Sequence, residues 1–148
     1  MITSEPHKIQ LKGFPLPPSV NKLYRTVVLG RFARRVKATP YREYEVECKT
    51  YFAKHIEGVI PSQEVVKVWF KMNNTAVKVD LVLYFKKGRV ITKMGKIKRL
   101  DVDNHVKGLL DNLCPTLGFD DSAVFSLSII KIPSDRDGVD VNISRIEW

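Results

Sequence analysis

The sequence predicts a single α+β domain over residues 1–148: a mixed β-sheet of about five strands packed with two main helices. Three observations carry this. Residues 76–85 alternate Val77, Val79, Leu81, Leu83 and Phe85 with Lys78, Asp80, Val82 and Tyr84, which gives an extended segment one apolar face. Val106, Leu109, Leu110 and Leu113 recur at i, i+3, i+4 and i+7, the spacing of a buried helical stripe. A chain of 148 residues, 44% hydrophobic and 28% charged, suits one adequate core, and no repeat, low-complexity tract or linker divides it.

Taken in order, Ile9 and Leu11 alternate with polar neighbours and predict a short opening strand over residues 8–12. Pro15, Pro17 and Pro18 then impose an extended, non-helical passage. Asn21, Lys22, Tyr24 and Arg25 follow it, and Arg31, Arg34, Arg35 and Lys37 lie in a weakly periodic stretch that reads as a loop or irregular hairpin. That stretch is either a phosphate-contacting arm or a solvated basic loop. Thr39-Pro40 reads as a helix start, threonine as N-cap and proline at the first helical position. Tyr44, Cys48, Tyr51, Phe52 and His55 make its apolar stripe, with His55 at the edge of the core, and Gly58 and Pro61 end it. Residues 64–72 and 76–85 both read as strands, joined by Asn73-Asn74 as a hairpin turn. Residues 123–132 and 139–146 read as two more, with Asp137-Gly138 a hairpin signal between them. Asp135, Asp137 and Asp140 look like turn chemistry rather than a metal site. Cys48 and Cys114 are isolated, which predicts free, buried thiols in a reducing compartment.

The chemistry is concentrated in residues 100–121, LDVDNHVKGLLDNLCPTLGFDD, which hold five aspartates in an otherwise basic chain. If the first residues are extended, Asp101 and Asp103 project to one side, and Asp103 can also cap the helix that follows. Asp103, Lys107 and Asp111 share a second face at four-residue steps; Pro115 and Gly118 end the helix before Asp120 and Asp121. His105 reads as a helix-surface neighbour of this group. Carboxylates held together repel unless a cation neutralises them, and all-oxygen ligands with room for water suit Mg²⁺ or Mn²⁺. Lys107 would stand in the first turn against the positive end of the helix dipole, a position tolerated most easily where anions gather. Each feature alone has an ordinary structural reading; D-x-D-N-x-x-K at a strand-to-helix joint, followed by a second acidic pair, is much rarer by chance.

These residues, Asp101-Val102-Asp103-Asn104, Lys107, Asp111 and Gly118-Phe119-Asp120-Asp121, resemble the RusA family of Holliday-junction resolvases, Mg²⁺-dependent homodimeric nucleases. Residues 14–24, FPLPPSVNKLY, are similar to the family's Pro-Pro-Ser-x-Asn segment, so the resemblance spans nearly the whole chain. It implies that Asp101, Asp103 and Asp121 bind metal, with Asp120 the alternative to Asp121, and that Lys107 is the catalytic lysine. It further implies Mg²⁺ (Mn²⁺ substituting), a branched-DNA substrate, a homodimer, paired symmetric nicks in recombination and repair, and a bacterial or phage-encoded protein beside the nucleoid.

Charge distribution points the same way. Residues 1–100 carry 21 Lys/Arg against 7 Asp/Glu, whereas residues 101–148 carry 4 against 9, and the whole chain is +9. A basic body around an acidic patch suits a protein that grips a polyanion and gathers cations at one place. Residues 86–99, KKGRVITKMGKIKR, hold seven basic residues and no acidic one, with Gly88 and Gly95 as hinges. They read as a basic flap, with Lys93, Lys96, Lys98 and Arg99 as phosphate contacts alongside Asn21 and Arg25. P-loop, dinucleotide, H-E-x-x-H and serine-elbow patterns are absent. No apolar stretch reads as a signal peptide or reaches the roughly 18–20 residues of a membrane span, so the expected location is cytoplasmic. Two rival readings remain at this level: a non-catalytic nucleic-acid-binding protein whose aspartates merely cap and turn, and a nuclease for flaps or single strands.

Overall fold

A computed structural model describes residues 1–19, 24–72 and 74–147; Asn21, Lys22 and Asn73 lie outside the described residues. The elements are β1 (Ile2–Glu5), β2 (Lys8–Phe14), β3 (Tyr24–Leu29), β4 (Phe32–Lys37), α1 (Thr39–Lys54), α2 (Ile56–Lys71), β5 (Thr75–Lys86), α3 (Lys87–Val90), α4 (Val106–Leu117), β6 (Val124–Ser134) and β7 (Gly138–Glu147). Five strands form one mixed sheet in the order β1-β2-β7-β5-β6, and β3 and β4 form a separate two-stranded hairpin. The expected α+β class and five-stranded sheet are therefore present, with one more long helix than the sequence suggested.

The period-two pattern of β5 puts Val77, Val79, Leu81, Leu83 and Phe85 on one fully buried face. Tyr44, Cys48, Tyr51 and Phe52 from α1, Val59, Val66 and Trp69 from α2, and Leu109, Leu113 and Leu117 from α4 join them in one core. Truncating such a residue, as in Leu109→Ala, costs about 2–5 kcal/mol. A Cβ on Gly58 would lie 2.4 Å from the Ile2 carbonyl oxygen, so α2 needs glycine there to approach β1. The Trp69 indole N–H donates to the Pro6 carbonyl at 2.7 Å, fixing the far end of the same helix. Tyr44 and Tyr51 hydroxyls donate to the carbonyls of Pro15 and Lys12, which anchors the proline passage to α1. The other sheet face carries polar pairs: Gln10 with Asn142, Ser128 with Asp80, and Tyr84 with Asp140.

Topology positions the acidic block. β5 and β6 are parallel, while the other neighbouring pairs of the sheet are antiparallel. A parallel pair requires a crossover. Residues 87–123 make it, with α4 as the return helix.

Several local expectations change. Residues 64–71 belong to helix α2, not to a strand, with Met72 its C-cap, and Gly58 and Pro61 lie inside that helix rather than ending α1. The buried positions of α2, Val59, Ser62, Val66 and Trp69, have helical spacing, and the Ser62 hydroxyl bonds back to the Gly58 carbonyl. Asn74, at φ 58, joins a helix to a strand instead of closing a hairpin. Ala38, not Thr39, is the N-cap of α1. Residues 24–37 form a hairpin, as one of the two readings had it, but in unbroken register rather than irregular. β6 and β7 are separated by β5, so Asp137-Gly138 does not close a hairpin between them. The Asp137 carboxylate instead accepts from the Lys86 backbone N–H and from Arg89. Cys48 and Cys114 are free and buried, as expected. Among the described residues no helix is long and apolar enough to cross a membrane.

Candidate active site

The acidic block splits into two groups, one at each end of α4. At the N-terminal end, Val102 has helical angles (φ −66°, ψ −38°) and Asp103 opens a 3-10 turn running to His105. The extended geometry expected at residues 101–103 is therefore absent. Asp103 does not cap α4 either, because the residue at its N-cap is His105. Two groups hold the backbone around Asp101. Lys131 Nζ, reaching across from β6, donates to the Leu100 carbonyl at 2.7 Å, and His105 Nδ1 lies 3.2 Å from the Asp101 carbonyl. His105 is buried rather than on the helix surface, its ring edge-on to Phe85 at 5.3 Å. Asp101, Asn104, Arg89 and Arg99 share one recess of about 610 Å³ there, while the Asp101 and Asp103 carboxylates stay exposed.

At the C-terminal end, Gly118 takes left-handed angles (φ 98°) and its N–H closes on the Cys114 and Pro115 carbonyls, a glycine C-cap that turns the chain out of α4. Phe119 is then buried and stacks on Phe70, which locates Asp120 and Asp121 at the surface. Asp120 caps a 3-10 turn by accepting from the Ser122 N–H at 2.8 Å, and this bonding to Ser122 lowers its pKa below the usual carboxylate value. Asp111, Asp120 and Asp121 line a second recess of about 610 Å³ together with Tyr24, Lys37 and Tyr41. Burial first, then Asp111 and Glu45, push the Tyr41 phenol up to about 12. Burial pushes the Cys114 thiol to about 12 as well, with Asp121, Asp111 and Asp120 adding to it. Both groups are neutral at pH 7.

Lys107 stands on the exposed side of α4 and pairs with Asp111 at 3.5 Å, one turn on. The 12 residues of α4 rise about 18 Å at about 1.5 Å each, and this length separates Asp101 and Asp103 from Asp120 and Asp121. Among the described residues no three His, Cys, Asp or Glu side chains are grouped so as to hold a metal ion. The donor set has the all-oxygen chemistry of a Mg²⁺ site, but one chain does not gather it at one point.

Residues 15–144 match the family model of endodeoxyribonuclease RusA. The chain belongs to the RusA endodeoxyribonuclease family. That match covers every candidate residue named above and implies a Holliday-junction endonuclease. No individually curated protein matches the chain.

In this RusA-family chain the described basic residues expected to contact phosphate are all exposed. Arg99 lines the Asp101 recess, and Lys93, Lys96 and Lys98 stand exposed on the segment before it, where Ile91 and Ile97 form a single bridge and Gly95 turns at φ 79°. Lys98 is pinned by a 2.6 Å bond to the Gly88 carbonyl, so the expected flap is partly ordered by α3 and this turn. Arg25 is exposed on β3, and Asn21 lies outside the described residues. Sequence reasoning missed Lys131, Arg89 and Tyr41 at these sites and named Tyr24 only in the segment after the prolines. Arg89 lies in the basic segment and was legible by charge; the others come from elements remote in sequence and carried no local signal.

Proposed function

We propose that the protein is a Mg²⁺-dependent resolvase of four-way DNA junctions, with Mn²⁺ able to substitute, making paired symmetric nicks in recombination and repair. It acts as a homodimer in which each cation site is shared between protomers. The observation that carries this reading is the division of the carboxylates between the two ends of α4, about 18 Å apart by helix rise. In a two-fold dimer, Asp101 and Asp103 of one protomer face Asp121 of the partner subunit, which restores a three-carboxylate set twice. Asp120 is already engaged as a cap, which favours Asp121 as the principal ligand. Phe125, 66% exposed, and Leu127 lie just beyond Asp121 on the edge strand β6 and supply apolar surface for the second copy.

A bound divalent cation supplies a more acidic water and offsets charge on the reacting phosphate. The chain's own groups do the rest. Lys107 donates to a phosphate oxygen where charge grows in the transition state. Asn104, partly buried beside Asp101, orients that carboxylate or a water. Lys93, Lys96, Lys98 and Arg99, with Arg25 and Asn21, hold the phosphate backbone. Lys131 and His105 fix the main chain on either side of Asp101.

Mixing variants tests the shared site. Asp103→Asn and Asp121→Asn should each be inactive and lose Mg²⁺ binding by calorimetry, while still binding junctions. After subunit exchange, mixed dimers have one whole site and should nick one strand and bind Mg²⁺ again. Mixed dimers that neither cut nor bind the cation would refute sharing. Cleavage that persists in EDTA, or runs as fast on duplex and flap as on a four-way junction, would refute the metal or junction assignment.

A further inference from the structure

The β3–β4 hairpin stands outside the main sheet and carries two kinds of surface in sequence along its length. At its base, Tyr24 stacks on Tyr41 with ring centroids 5.8 Å apart, Arg35 lies over Tyr24, and Lys37 bonds Glu45 at 2.5 Å. These contacts fix the base against α1 at the rim of the recess that holds Asp111, Asp120 and Asp121. Along the stem the cross-strand pairs Thr26–Arg35 and Val27–Arg34 present one arginine to each face. At the tip the character changes. Val28, Leu29 and Phe32 are 69%, 63% and 78% exposed, and Leu29 pairs directly with Phe32 across the Gly30-Arg31 turn. Gly30 sits at φ 62°, which lets the turn be this tight.

An exposed apolar tip on a cationic stem is poorly suited to water and well suited to nucleic acid. Arginines along a stem neutralise phosphates, while apolar side chains of this kind insert between base steps and unstack them. We propose that the hairpin is a DNA-opening wedge, with Leu29 and Phe32 entering the base stack near the branch point while Arg34 and Arg35 grip the flanking phosphates. The five steps from Tyr24 to Leu29 span roughly 17 Å at about 3.3–3.4 Å each. Because the base lines the acidic recess, the tip reaches up to about that distance from the carboxylates there. This assignment rests on the junction-nuclease reading for its substrate, but the wedge and the chemistry are carried by different residues.

The test uses the full chain and a four-way junction with 2-aminopurine at the crossover, in Ca²⁺ so that binding is seen without turnover, and a parallel single-turnover cleavage assay in Mg²⁺. Wild type should raise the 2-aminopurine fluorescence severalfold on binding. Leu29→Ser/Phe32→Ser should bind with its salt dependence unchanged yet lose most of that rise. Arg34→Ala/Arg35→Ala should keep the rise at saturation but bind with a shallower salt dependence, by about two units of log–log slope. A tip variant that opens the junction like wild type overturns the wedge. So does a tip variant that turns dimer into monomer by sedimentation, since the tip would then be a contact between copies. Junction cleavage by a wild type that never raises the fluorescence also overturns the wedge and leaves the nuclease reading intact. Opening without cleavage in either Mg²⁺ or Mn²⁺ refutes the nuclease reading and leaves the wedge standing.

Discussion

The two ends of α4 carry the same kind of side chain held in opposite ways. At the N-terminal end, Asp101 and Asp103 sit in a turn whose main chain is tied down by Lys131 from β6 and by the turn's own His105, whose ring packs on Phe85. At the C-terminal end, Asp120 and Asp121 follow a helix cap and a phenylalanine stacked on Phe70, and hydrogen bonds within residues 114–123 hold the turn. The first group therefore takes a hydrogen bond from a distant strand, whereas the hydrogen bonds that hold the second come from its own turn. The first group can thus be loosened from β6, at Lys131, without changing any residue of its own turn.

Lys107 lies between the two groups, and its removal separates chemistry from structure by the widest margin. As a donor to the reacting phosphate, Lys107→Ala should lower the single-turnover cleavage rate on the order of 10²–10³-fold, with junction affinity and Mg²⁺ requirement little changed. As an exposed helix pair with Asp111 it would be worth only about 0.3–0.5 kcal/mol, and the rate would stay near wild type. Lys107→Arg keeps the charge with a different donor geometry and should be partly active. A rate for Lys107→Ala within about threefold of wild type, set against the donor magnitude, would make the lysine structural.

A smaller effect is expected at Lys131, whose ammonium group donates to a main-chain carbonyl beside Asp101. Lys131→Met keeps the aliphatic stem but leaves the Leu100 carbonyl without its 2.7 Å donor. Supporting groups of this kind typically change metal affinity by about 10–100-fold. The Mg²⁺ concentration for half-maximal cleavage should therefore rise within that range, while the rate at saturating Mg²⁺ recovers toward wild type. The same titration on Ser122→Ala, which keeps the backbone N–H that Asp120 uses, should move little. Equal shifts in the two variants would erase the proposed contrast between the ends of α4.

How much of this was legible beforehand follows the same division. The local devices could be read directly: the α4 stripe, the Gly118 turn, the alternation of β5 and the acidic pair before β6. What could not be read was set by distant partners. Residues 64–72 look like a strand because Val65, Val66, Val68, Trp69 and Phe70 favour one, yet packing on β1 through Gly58 selects the helix. Asp137-Gly138 has hairpin chemistry, but β5 lies between β6 and β7, and no local signal reports an intervening strand. Asp101 and Asp103 looked extended until Val102 took helical angles, and Lys131, Tyr24 and Tyr41 reach their sites from other elements.

The smallest effect should come from Asp120, and it sharpens the local end of the comparison. Bonding to Ser122 lowers the Asp120 pKa in the folded protein. A depressed carboxylate pKa contributes stability that is present above the ordinary unfolded-state value and is lost as pH falls through the folded-state value. Asp120→Asn removes that titration but not the cap, because asparagine caps a turn about as well as aspartate. Thermal melts at pH 7 should therefore barely move, while the loss of stability as pH falls below the ordinary carboxylate range becomes slightly shallower than in wild type. The carboxylate is fully exposed, so solvent screening keeps even this change small. Cleavage by Asp120→Asn should stay close to wild type, in contrast to the inactive Asp121→Asn. An inactive Asp120→Asn beside an active Asp121→Asn would exchange the two roles, making Asp120 the cation ligand and leaving the turn to be held by backbone bonds alone.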